Sequence, residues 1–220
     1  MIGAFRDRTE AGRILASQLD RYANRHDVIV LGLPRGGVPV AFEIAYALKA
    51  PLDICLVRKL GAPNNPELAM GAIGSRGDIA INEGVMKSLQ VSDEAFQSVL
   101  EREHHELHRR DRRYRGSRPP VDLRDRTVIL VDDGAATGAT LMAAIATLRH
   151  QHPTQIVVAI PVAAPTICEK LRQQADRLVC PLRPKIFDFL GMWYEDFSPT
   201  QDEEVCRLLD LAEQRQLAQT

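Results

Sequence analysis

Apolar residues recur along this chain in two rhythms. Short, largely apolar runs fill residues 28–33 (V-I-V-L-G-L), 52–57, 128–131 (V-I-L-V), 156–160 and 177–180. Runs of this length, bounded by turn residues, predict strands buried on both faces. Between them the spacing lengthens to three and four. Residues 9–24 place Ile14, Leu15, Leu19 and Tyr22 on one stripe of a predicted helix. Further helices are predicted over 38–48, 92–113, 138–150, 165–175 and 201–217. Residues 61–84, rich in Gly, Pro and Asn, predict a mobile loop with a hairpin, one strand of which is 79–81. Residues 181–199 are irregular and aromatic.

Strands alternating with helices predict an α/β fold, a parallel sheet with helices on both faces. Such sheets bind ligands at the carboxyl ends of their strands. Three predicted strands run into turns with chemical potential: Pro34-Arg35-Gly36-Gly37, Arg58-Lys59, and the stretch that begins at Asp132. All three are expected at one edge. Residues 1–180 are expected to form the core, with the flexible loop near 61–84. Residues 181–220 are expected to add a small hood and a C-terminal helix packed on that core.

Composition narrows the function. The 220 residues are 45% hydrophobic, enough for a substantial core, and the net charge is −1. No global charge draws the chain to nucleic acid or to an acidic membrane. Cys55, Cys168, Cys180 and Cys206 form no C-x-x-C pair, and read as buried free thiols of a reducing compartment. The charged N-terminus does not read as a signal peptide, and no apolar run approaches membrane-spanning length. A cytoplasmic protein is expected. His104, His105 and His108 share one predicted helix, but H-H-E-L-H does not fit the H-E-x-x-H zinc pattern. The seven arginines between 102 and 118 alternate with acids, the pattern of a solvated helix or an oligomer contact.

The most informative stretch is V-I-L-V-D-D-G-A-A-T-G-A-T, residues 128–140. A buried strand delivers Asp132 and Asp133 to its carboxyl end. Small residues and hydroxyls then form a turn whose N–H groups face outward at a helix start, a cradle for phosphate. Adjacent carboxylates suit a diol, so a sugar phosphate is the expected occupant.

This stretch resembles the signature of the type I phosphoribosyltransferases, whose core is Rossmann-like. The resemblance extends to Leu33-Pro34-Arg35-Gly36-Gly37, similar to the family's pyrophosphate loop, and to Val57-Arg58-Lys59-Leu60. It implies phosphoribosyl pyrophosphate as donor and a nucleobase-like nitrogen acceptor, with Mg²⁺ as cofactor. Asp132 and Asp133 would take the ribose hydroxyls and touch the metal only indirectly. Ala135, Ala136, Thr137, Gly138, Ala139 and Thr140 would cradle the 5′-phosphate. Arg35, Gly36, Gly37, Arg58 and Lys59 would hold the pyrophosphate. The loop within 61–76 resembles the family's closing lid. Members acting on 6-oxopurines carry an acidic residue where this chain has Ala136, so the resemblance argues against such a substrate and leaves no general base assigned.

Base recognition is expected from the hood, with Phe187, Phe189, Trp193, Tyr194 and Phe197 as its aromatics and Trp193 or Tyr194 nearest the acceptor. A homo-oligomer is compatible with all of this. The alternative is a non-catalytic relative that senses a nucleotide and binds RNA through the arginine-rich helix. A domain that accompanies a separate hydrolase is a third reading, since no G-x-S-x-G elbow occurs here.

Overall fold

The computed structural model describes residues 3–63, 65–116 and 118–218. Its strands are β1 (Val28–Gly32), β2 (Leu52–Ile54), β3 (Val57–Ala62), β4 (Asn65–Gly74), β5 (Ile79–Ile81), β6 (Thr127–Val131), β7 (Gln155–Ala159) and β8 (Arg177–Val179). Its helices are α1 (Arg8–Ser17), α2 (Gly37–Leu48), α3 (Glu83–Ser88), α4 (Asp93–Arg115), α5 (Ala139–Arg149), α6 (Pro165–Gln174) and α7 (Asp202–Leu217). Five strands form a parallel sheet in the order β2-β1-β6-β7-β8, and β3-β4-β5 form a separate antiparallel sheet.

The strict two-residue period explains why the central strands read as continuous apolar runs. Val28, Val30, Ile129, Val131 and Val157 pack against Leu15 and Leu19 from the first helical segment and Val40 and Ile44 of α2. Their neighbours Ile29, Leu31, Val128, Leu130, Ile156 and Val158 pack on the other face against Leu141, Ile145 and Leu148 of α5 and Leu171 of α6. Both faces are covered, so neither tolerates a polar side chain. Gly32 pairs with Val131, and Val131 with Ala159. This register aligns the carboxyl ends, and the loops after β1 and β6 leave side by side.

Three expectations are corrected. The first helix stops at Ser17, whose hydroxyl donates to the Ile14 carbonyl at 2.8 Å and competes with the helical ladder. A short 3₁₀ turn over Asp20–Tyr22 then keeps Leu19 and Tyr22 buried. The run 52–57 is not one strand. Cys55 N–H still donates to Gly32 in the central sheet, but the Leu56 carbonyl accepts from Ser75, beside the second sheet. Arg58 and Lys59 therefore lie inside β3, not in a turn after a parallel strand. The expected mobile loop within 61–84 is largely strand. A Cβ on Gly71 would collide with the Ala80 carbonyl, so this glycine permits close strand approach rather than marking a loop.

The arginine-rich helix α4 is stitched to its surroundings. Glu106 holds Arg109 and Arg110, Asp202 and Glu203 hold Arg113, and Asp210 and Glu213 hold Arg118. Arg115, expected beyond the helix, is buried in its last turn between Asp53 and Asp111. These pairings offset part of the positive charge of α4. Residues 181–199 and α7 pack in different places. The former joins Phe5 and Val162 in a small cluster, while Val205, Leu208 and Leu209 of α7 join the core beneath β3 and α4.

Candidate active site

The turn after β6 is shaped by its neighbours. Ala135 N–H donates to the Val162 carbonyl at 2.9 Å, which draws the chain across the end of β7. Gly134 permits this with a φ of +151°, since a Cβ there would lie 3.1 Å from the Val162 oxygen and would strike Leu190. Gly138, at φ +71°, turns the chain into α5. Ala136, Thr137, Ala139 and Thr140 are exposed, whereas Ala135 and Gly138 are buried. Among the described residues, the N–H groups of Ala136, Thr137 and Gly138 have no acceptor within the chain. They stand beside the start of α5, where Ala139 N–H donates to the Thr137 hydroxyl at 3.3 Å and the helix dipole favours an anion.

The loop after β1 lies against this turn. Leu33 N–H donates to the Val131 carbonyl at 2.9 Å, and Gly37 N–H donates back to Leu33 at 3.0 Å. The Pro34–Arg35 peptide is cis. A Cβ on Gly36 would overlap the Asp133 carboxylate, and one on Gly37 would lie 2.7 Å from the Val131 oxygen and 2.9 Å from the Asp132 Cα. Any side chain at either position would push the loop away from the two aspartates. Arg35 reaches toward Asp202 at the start of α7, 3.9 Å away, and stays half exposed.

Asp133 is buried and triply fixed. Arg8 of α1 donates from Nε to Oδ2 at 2.8 Å, and Tyr194 donates its hydroxyl to the Asp133 carbonyl at 2.6 Å. Its own N–H donates to Asp132 Oδ1 at 2.9 Å. Arg8 also donates to the Ser198 carbonyl at 2.8 Å and stacks 4.1 Å from the Phe197 ring centroid. Burial pushes both carboxyl groups above the usual range, and the Asp133 charge pushes Asp132 further. Arg8 pulls Asp133 back toward ionisation. Among the described residues the donors to the two carboxylates are the Asp133 N–H and Arg8 Nε, so hydroxyl groups of a ligand would find free acceptor positions there.

The sequence model of the phosphoribosyl transferase domain matches residues 2–189. The chain belongs to the phosphoribosyl transferase family. A Mycobacterium tuberculosis protein (strain H37Rv) named "Putative phosphoribosyl transferase" is 43% identical over 208 residues, covering 94% of this chain and 47% of the relative. The same match recurs in strain CDC 1551. The chain therefore spans about half the length of the curated relatives it matches. The crystal structure of TT1426 from Thermus thermophilus superposes with a TM-score of 0.85 at 40% identity, covering 94% of this chain and 97% of that one. The Rossmann-like sheet flanked by helices is the type I phosphoribosyltransferase fold.

Within this family's architecture, the structure brings together Asp132, Asp133, residues 135–140, Gly36 and Gly37. It separates others. Arg58 lies on β3 and is held by Glu103 of α4, with Nε and the terminal nitrogen 2.7 and 2.6 Å from one carboxylate oxygen. Lys59 lines the same groove between β3 and α4. Tyr194 is not a stacking surface for a base. It is 5% exposed, with its ring packed on Phe197 at 4.9 Å and Phe5 at 5.5 Å. Trp193 is half buried and stacks on Phe187 at 6.4 Å, and its Nε1 is buried without a partner among the described residues. Phe189, by contrast, is 62% exposed. Arg8 had no signal in the pattern beyond its place after Asp7, whose carboxylate caps α1. Among the described residues no helix is long and apolar enough to cross a membrane.

Proposed function

We propose that this domain transfers ribose 5-phosphate from phosphoribosyl pyrophosphate to a nucleobase-like nitrogen acceptor and releases pyrophosphate. The observation that carries this reading is the glycine contact between the two loops. Gly36 and Gly37 let a diphosphate loop sit directly on the two carboxylates that would hold the ribose.

In this reading the outward N–H groups of residues 136–138 and the start of α5 take the 5′-phosphate, with the Thr137 and Thr140 hydroxyls adding donors. Asp132 and Asp133 accept from the ribose 2′- and 3′-hydroxyls and fix the sugar. The N–H groups of Arg35 and Gly36 face the diphosphate, while the Gly37 N–H stays on the Leu33 carbonyl and the Arg35 guanidinium would swing from Asp202 to reach it. The C1–O bond breaks with its electron pair leaving on pyrophosphate, and the C1–N bond forms. Donors fixed where that charge grows stabilise the transition state more than the ground state. The oxocarbenium-like carbon gains from two nearby carboxylates. With Ala136 exposed in the turn, the acceptor is a base that needs no carboxylate there, and its proton leaves to pyrophosphate or water.

Mg²⁺ dependence belongs to the same proposal. Among the described residues no group of three or more His, Cys, Asp or Glu side chains could cage a metal. Two adjacent carboxylates suit an ion that arrives largely dressed by diphosphate oxygens and water. Bound that way it would neutralise charge on the leaving group. Free thiols at all four cysteines support a reducing cytoplasm as the working compartment.

The test is pyrophosphate release from phosphoribosyl pyrophosphate with a panel of nucleobases, with and without Mg²⁺. Turnover with one base, dependent on the metal, is expected. A chain that neither turns over with any base nor binds the donor would end the proposal.

A further inference from the structure

At the opposite, amino-terminal end of the parallel sheet lies a second concavity of about 440 Å³. The connections before β1 and β6 bring Arg25 and Arg126 to it. The last turns of α2 and α7 bring Tyr46, Lys49 and Arg215, and Phe42 forms part of the wall. Among the described residues no acidic side chain lines it. Arg25 shares its charge with Asp27 at 2.6 Å. Among the described residues, Lys49, Arg126 and Arg215 have no carboxylate partner. Arg215 instead stacks over Tyr46 and Phe42, 4.4 and 5.0 Å from their centroids.

Cations at helix C-termini are ordinary, because they complement the helix dipole. That accounts for Lys49 and Arg215. It does not account for Arg25 and Arg126, which sit on connections outside any helix. Nor does it account for Tyr46, a large aromatic left 61% exposed in the middle of the cationic ring. One face of its ring carries Arg215 and the rest is open. Lys49 and Arg126, with Arg25 shared with Asp27 and Thr127, offer charge to an anion, and an exposed aromatic ring offers a face to a planar group. The volume is that of a small-molecule site, too confined for a duplex.

We propose that this concavity is a second ligand site for a nucleotide, a planar base stacked on Tyr46 with its phosphate held by Lys49, Arg126 and Arg25. The site does not depend on the transferase reading. It is separated from the 33–37 loop by the full length of α2, twelve residues or roughly 18 Å of helix.

The test uses the full chain and 8-azidoadenosine 5′-monophosphate as a photolabel, with labelled peptides mapped by mass spectrometry. Label is expected on the segment 42–51, besides any on 132–140. It should be lost from 42–51, and from there alone, in the Lys49→Ala/Arg126→Ala and Tyr46→Ala variants. Tyr46 and Lys49 are exposed and Arg126 is half-buried, so both variants are expected to fold, which an unchanged circular dichroism spectrum checks. Calorimetric AMP affinity at this site should weaken at least about tenfold for the double variant, the value of one lost charge-assisted bond. Adenosine and inorganic phosphate alone should bind far more weakly than AMP. Three results would overturn the proposal. They are label confined to 132–140 or 187–197, inorganic pyrophosphate competing with AMP at affinity unchanged by Tyr46→Ala, or an oligothymidylate binding here more tightly than AMP. Failure of the label at 132–140 with retention at 42–51 would instead count against the donor site.

Discussion

Replacing Arg8 with alanine tests what holds the Asp132–Asp133 pair in place. The Arg8 and Asp133 side chains are only 12% and 13% exposed, and their contact is 2.8 Å. Removing one partner of a buried pair costs about 3–5 kcal/mol, because the remaining charge is stranded. The partial exposure places this site at the lower end, about 3 kcal/mol. Arg8 also loses its bond to Ser198 and its stack on Phe197, which the same figure absorbs. At about 2–4 °C per kcal/mol for a chain this size, Tm should fall by about 6–12 °C. The loss must depend on pH. Burial already raises the Asp133 carboxyl and Arg8 opposes that rise. Without Arg8 its folded pKa climbs further above the unfolded value. A group raised in this way favours folding when protonated and opposes it once pH exceeds its folded pKa. The deficit of the variant should therefore be full near pH 7 and shrink as pH falls toward 4. Asp133→Asn should restore part of the stability in the double variant, a coupling of at least about 1.5 kcal/mol by double-mutant cycle. Urea unfolding of the four proteins at pH 7 and pH 4.5 reads all of this. A deficit below about 1 kcal/mol, or one equal at both pH values, would refute the reasoning.

Three further predictions concern the same edge of the sheet. Gly36→Ala should leave the fold intact and weaken phosphoribosyl pyrophosphate binding about 100-fold by calorimetry, since the methyl displaces either the loop or the Asp133 carboxylate; undiminished binding would remove the loop from the site. Tyr194→Phe should cost about 1–3 kcal/mol in urea unfolding by orphaning the buried Asp133 carbonyl, and should weaken the donor without altering which base is accepted. A changed base preference would return Tyr194 to the acceptor pocket. Arg58→Ala should destabilise by about 1–2 kcal/mol, because Glu103 is buried and keeps only Arg102 at 3.1 Å. The donor Kd should not change, and a rise would place Arg58 on the diphosphate.

The central sheet was legible because every residue of β1, β6 and nearly every one of β7 is buried, so the apolar runs are unbroken. The turn after β6 was legible because its small residues and hydroxyls lie close together in sequence, directly after a buried strand. The hairpin within 61–84, with 79–81 as one of its strands, was legible; the length of β4 was obscured by Gly71, whose local signal is the same for a loop and for a strand that must approach its neighbour closely. Arg58 and Lys59 were misplaced because a change of partner sheet at Cys55-Leu56 leaves no mark in hydrophobicity. Arg8 leaves no mark either. Its partner is 125 residues away, and no periodicity records a contact of that range. The aromatic face of Tyr194 stands out in the sequence, whereas its hydroxyl makes the decisive contact.

The brace on Asp133 has a consequence for the order in which this domain matures on the ribosome. Phe5 N–H donates to the Trp193 carbonyl, and Glu195 and Asp196 donate back to Phe5 and Arg6, so the strut is tied at both ends of the domain. A nascent chain that has emerged through α5 already carries the phosphate turn. It lacks the Tyr194 hydroxyl and the Ser198 carbonyl that seat the carboxylate and its arginine. Synthesis must pass residue 198 before the brace on Asp133 is complete.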